Sequence, residues 1–75
     1  MNMETDVRLL LFSVRLERLM RVKKITQKEL AEYLGVSQPT VNRWLKGKFE
    51  PSFEKLFVLC AVLGTSPNHL FGYVI

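Results

Sequence analysis

The sequence predicts an all-α fold, and three observations carry that expectation. Apolar residues recur at spacings of three and four through most of the chain. Ser, Thr or Asp stands before these runs and Gly closes several of them, the order that opens and ends helices. No stretch alternates polar and apolar residues long enough to build a sheet. Five helices fit this pattern, and 75 residues leave room for one domain spanning residues 1–75 and no second.

The first helix is capped by Thr5 or Asp6 and runs to about Val22, with Phe12, Leu16 and Leu19 as its core stripe. Leu9, Leu10, Leu11 and Val14 make it more apolar than one buried face requires. Thr26 followed by Glu29 is a capping box that opens the second helix, since hydroxyl and carboxylate can each satisfy the other residue's amide. Leu30, Ala31 and Leu34 form the buried side, and Gly35 stops the helix because it accepts the left-handed conformation without a Cβ penalty. Only Val36 separates that stop from the next cap, Ser37.

The third helix covers about residues 38–45, with Pro39 in its first turn where no intrahelical amide is needed. Val41, Trp44 and Leu45 must face the core, which leaves Gln38, Asn42, Arg43 and Lys46 on the outer side. Gly47 ends it. Ser52 caps a fourth helix holding eight consecutive apolar residues, Leu56 to Leu63, before Gly64. Ser66 and Pro67 open a short fifth helix through Asn68, His69, Leu70 and Phe71, and an apolar tail, Gly72 to Ile75, reads as a short extended segment.

A hydrophobic content of 48% supports a core without disulfides. Cys60 has no partner cysteine and lies in an apolar run, so it reads as a core residue in a reducing compartment. The opening MNMETD is acidic, unlike a signal peptide, and the run Leu9 to Phe12 is too short to cross a bilayer; a cytoplasmic protein is expected. Between residues 15 and 28, Arg15, Arg18, Arg21, Lys23, Lys24 and Lys28 face only Glu17, whereas from residue 50 onward acid exceeds base, so one end of the domain is positive. With His69 as the sole histidine and no acidic cluster at metal-ligand spacing, no catalytic residue, metal or cofactor is expected and an enzyme is excluded.

The ordered series Thr26, Gln27, Leu30, Ala31, Leu34, Gly35, Val36, Ser37, Val41, Trp44, Gly47, Pro51 and Ser52 is more specific than any one of its parts. Through TQKELAEYLGVSQPTVNRWLKG, and more loosely from Arg15 to Phe71, the sequence resembles the helix-turn-helix domain of phage Cro and CI-type repressors and XRE-type bacterial regulators. The resemblance implies a compact five-helix, lambda-repressor-like fold whose helices 2 and 3 form the helix-turn-helix. It implies a repressor that binds a palindromic operator in double-stranded DNA as a homodimer, the third helix in the major groove and the protein nucleoid-associated when bound. Gln27 then touches a phosphate and supports Gln38, and the base-reading positions fall on Gln38, Pro39, Asn42 and Arg43.

Chemistry agrees with that transfer. Gln38 can pair with adenine N6 and N7 and Arg43 with guanine O6 and N7, each worth about 1–3 kcal/mol against a wrong base. Pro39 offers a thymine methyl an apolar contact or fixes the helix start, while Asn42, one turn farther in, is within reach of sugar or phosphate. Lys46 and Lys48, Lys24, and the helix starts at Thr26 and Ser37 are the expected phosphate contacts. Two departures stand out: Met20 and Leu45 occupy positions where many members carry an arginine–glutamate pair, and Lys24 replaces the usual glycine before the second-helix cap.

One recognition helix spans too few base pairs to select a site alone. A dimer surface is expected within residues 56–75, at Val58, Ala61, Phe71, Tyr73, Val74 and Ile75, with packing of Val58 and Ala61 onto the first helix as the intramolecular alternative. Without an effector domain in these 75 residues, switching is expected to come from protein concentration, a regulatory partner protein or competition for DNA. The competing function is a protein-interaction module, such as an antitoxin or anti-repressor, whose DNA binding is secondary.

Overall fold

Helix starts and stops fall where the capping chemistry places them. The computed structural model describes residues 6–71, which form α1 (Val7–Lys23), α2 (Gln27–Leu34), α3 (Gln38–Leu45), α4 (Phe53–Leu63) and α5 (Pro67–Phe71), with no strand among them. Asp6 caps α1 by accepting from the Arg8 amide at 3.0 Å. The Thr26–Glu29 box closes in both directions, with the Glu29 amide donating to Thr26 Oγ1 at 3.1 Å and the Thr26 amide donating to Glu29 Oε1 at 2.9 Å. Ser37 and Ser52 cap α3 and α4, and Ser66 Oγ accepts from the His69 amide at the start of α5.

The core is one cluster drawn from all five helices: Phe12, Leu16 and Met20; Leu30, Ala31 and Leu34; Val41 and Trp44; Leu59, Cys60 and Leu63; and Leu70 and Phe71. The five residues expected to hold the helix-turn-helix together are all accounted for, Leu30, Ala31, Val41 and Trp44 by burial and Gly35 by φ 68° at the end of α2. Helices α1 and α5 are joined by an offset stack of Phe12 on Phe71, ring centroids 4.8 Å apart. Phe71 is therefore core, 3% exposed, and not the dimer contact expected of it. Tyr73, Val74 and Ile75 lie outside the described residues.

Lys24 resolves the missing-glycine question. It takes the left-handed conformation itself, φ 58° and ψ 43°, and its amide donates to the carbonyls of Met20 and Arg21 to end α1. A side chain there costs about 1–2 kcal/mol relative to the right-handed regions. The neighbouring junctions are held by cations at helix C-termini: Lys55 Nζ donates to the Leu34 carbonyl at 2.8 Å, and Arg15 Nη1 donates to the His69 carbonyl at 2.5 Å.

Candidate nucleic-acid interface

Three residues after Leu34, α3 begins, and this short connection brings the first turns of α2 and α3 side by side. Gln27 opens one helix and Gln38 the other. Together with Pro39 and Asn42 they line a groove of about 400 Å³ that is open to solvent. Gln38, Pro39 and Arg43 are exposed, whereas Gln27 and Asn42 are half-buried. Asn42 lies four residues beyond Gln38, on the same side of α3, and its Nδ2 donates to Gln27 Oε1 at 3.5 Å. The interhelix partner of Gln27 is thus Asn42, where the resemblance led us to expect Gln38.

The caps limit which groups can meet a phosphate. Thr26 uses both hydroxyl and amide within the box, next to the Glu29 carboxylate. Ser37 Oγ accepts from the Thr40 amide at 3.2 Å and lies 2.8 Å from Thr40 Oγ1. Both hydroxyls thus serve their own helices, and the expected phosphate contacts at these residues reduce to backbone amides of the first turns. At the start of α3 that leaves the Gln38 amide, since Pro39 has no N–H and the Thr40 amide is taken. Thr40 is a polar residue of the first turn that the sequence pattern did not single out; its position three residues after Ser37 was the available signal.

Positive charge divides in the same way. Of the six cations between residues 15 and 28, Arg15 holds the end of α5, Arg21 pairs with Glu17 at 2.6 Å, and Lys23 Nζ lies beside Gly64 at the end of α4, 3.5 Å from where a Cβ would stand. Arg18, Lys24 and Lys28 are exposed, as are Lys46 and Lys48 beyond α3. The charge excess in the sequence therefore overstates the charge available to a polyanion, because part of it closes helix ends. A second cleft, about 220 Å³, shares Gln27 with the first and is also lined by Glu17, Met20, Arg21, Ile25 and Leu45. Met20 is buried and Leu45 packs against the core, so an apolar pair stands where an ion pair was the family expectation. Such a replacement need not cost stability, since a buried ion pair loses much of its attraction to desolvation.

The opposite side of the molecule differs in kind. Phe53 is 83% exposed and Phe57 71% exposed, their rings stacked with centroids 6.3 Å apart. Val58 and Ala61 are exposed beside them, so neither is covered by α1. At 100° per residue, Phe53, Phe57, Ala61 and Val58 fall within an arc of about 140°. That arc faces away from Leu59, Cys60 and Leu63. Phe53 and Phe57 escaped the sequence reading, although the same angular arithmetic applied to α4 would have found them. On α1, Leu10 and Val14 are exposed as well, which accounts for its surplus of apolar residues.

Cys60 is buried, and burial pushes its thiol up from the ordinary range, away from the reactive thiolate. Among the described residues no group of His, Cys, Asp and Glu could hold a metal ion, and no helix is long and apolar enough to cross a membrane.

Comparison with known proteins bears on the same segment. The profile of a family described as helix-turn-helix matches residues 16–70. The chain is similar to the HTH-type transcriptional regulator PrtR of Pseudomonas aeruginosa, 41% identical over 75% of this chain and 22% of that protein. It is also similar to the HTH-type transcriptional regulator DicA of Escherichia coli, 44% identical over 65% of this chain and 37% of that protein. The chain thus spans well under half the length of either relative. A crystal structure of a transcriptional regulator from Listeria innocua superposes with a TM-score of 0.79 at 33% identity, over 85% of this chain and 60% of that one.

Proposed function

The chain belongs to the helix-turn-helix family, of the XRE type, a family of DNA-binding regulators and not of enzymes, and from that membership we propose that it is a transcriptional repressor reading a palindromic operator as a homodimer. The observation that carries the proposal is the outer edge of α3, where exposed Gln38 and Arg43 flank the groove shared with Gln27. Arg43 reads guanine and Gln38 reads adenine in the major groove, with Pro39 giving an apolar contact at the helix start. Lys46, Lys48 and Lys24 hold phosphates, as do the first-turn amides that follow Thr26 and Ser37.

The exposed α4 face supplies the two-fold contact. Phe53 and Phe57 join Val58 and Ala61 there, the kind of aromatic-centred patch on which interfaces concentrate their energy. A dimer built this way needs half-sites about 34 Å apart, one turn of duplex. Protein concentration, a regulatory partner protein or competition for the operator sets occupancy, and the bound protein resides in the cytoplasm on the nucleoid.

Selection from random duplexes by the intact chain tests this proposal. It should return a two-fold symmetric sequence with half-sites one turn apart, and sedimentation at micromolar concentration should show a dimer. The same α4 face also favours a second reading, a module that docks on another protein and binds DNA only secondarily. Sequence-blind duplex binding by a monomer that forms a tight complex with a different protein would decide for that reading.

A further inference from the structure

Among the described residues, one side chain to side chain hydrogen bond joins two helices, and it is the bond from Asn42 Nδ2 on α3 to Gln27 Oε1 on α2. Both residues are half-buried at the back of the groove, while Gln38 and Arg43 on the same helix are exposed. An amide has two unlike ends, and a phosphate accepts hydrogen bonds without donating any. With its oxygen held by Asn42, Gln27 is left with its Nε2 donors for whatever lies in front of α2. With the oxygen released, the amide is free to rotate and meet a phosphate with the wrong end.

Resting on the DNA-binding function proposed above, we propose that Asn42 is a positioning residue that acts through Gln27, fixing its amide donor toward a DNA phosphate, and is not itself a reader of bases. The recognition helix then carries its sequence information in Gln38 and Arg43, and Asn42 ties the phosphate clamp of α2 to the helix that reads. The bond also relates the two helix starts rigidly, so that a phosphate gripped at Gln27 sets the depth at which Gln38 enters the groove.

The test is a double-mutant cycle on the selected operator and on a panel of its single-base variants, with Asn42→Ala, Gln27→Ala and the double substitution. Alanine suits a helix interior, and thermal melting of each variant verifies folding. A hydrogen bond to a charged group is worth enough that Gln27→Ala should weaken binding to every duplex by about tenfold or more. Asn42→Ala should weaken it by about fivefold on the same duplexes, and the double substitution should bind within about twofold of Gln27→Ala alone. Base preference at every position should stay unchanged, as should the salt dependence, because neither residue carries charge. A change of preference at one base pair in Asn42→Ala, or losses that multiply in the double variant, would overturn the assignment. Failure of the unaltered chain to select any duplex would instead overturn the DNA-binding function, and this assignment with it.

Discussion

Helices α3 and α4 are built by the same device and present opposite chemistry. Each is capped by a serine whose hydroxyl accepts from the amide three residues on, and each buries a narrow apolar stripe, Val41 and Trp44 in one, Leu59, Cys60 and Leu63 in the other. The outward face of α3 is Gln38, Arg43 and the half-buried Asn42, whereas that of α4 is Phe53, Phe57, Val58 and Ala61. Neither outward face is needed to complete the core. What a helix carries on the side its own core does not use is therefore the better guide to its partner, polar and cationic for a DNA groove, aromatic and apolar for another protein surface.

The largest effect should come from a residue that both faces depend on. Trp44 is 3% exposed beneath the recognition face, and Trp44→Ala should cost about 3–5 kcal/mol in denaturant unfolding, removing DNA binding and self-association together. Loss of one activity with the other intact would mean that the two faces do not share a core. Next comes Phe57→Glu, which places a charge in the α4 patch. It should weaken self-association by about 2 kcal/mol or more in sedimentation. The folded monomer should hardly notice, with unfolding free energy within about 0.5 kcal/mol of the parent, since the ring is largely solvated. An unchanged sedimentation profile would remove α4 from the interface.

A smaller effect sits at the junction before α2. Lys24→Gly relieves the left-handed strain and should stabilise the fold by about 1 kcal/mol in thermal or denaturant unfolding. Its effect on operator binding should be confined to the salt dependence, lower by about one unit if the ammonium meets a phosphate. Smallest in its bearing on sequence choice is Lys46→Ala, which should weaken all duplexes alike and reduce the salt slope by about one unit, leaving preference untouched. A shift in preferred sequence would place Lys46 among the base readers.

The two faces also differ in how readable they were. Caps and glycine stops act over three or four residues, so the boundaries of α2, α3 and α4 could be read directly from Thr26, Gly35, Ser37 and Ser52. The outer edge of α3 was equally legible, because Val41 and Trp44 fix which side is inward. Long-range partners were not. Nothing local says that Arg15 reaches the end of α5, 54 residues away, that Lys55 reaches the end of α2, or that Asn42 finds Gln27. Phe71 was misplaced for the same reason: an apolar residue near the end of the chain looks like surplus surface until its stacking on Phe12 is known.

The claim that α3 reads sequence rests most directly on Arg43. Titration of the unaltered chain and of Arg43→Ala against the operator and each of its single-base variants, at one salt concentration, tests it. The variant should lose about 1–3 kcal/mol on the operator and lose discrimination at one base pair of each half-site, with the other positions read as before. An equal loss on every duplex, with discrimination intact throughout, would show Arg43 to be a phosphate contact and contradict the assignment.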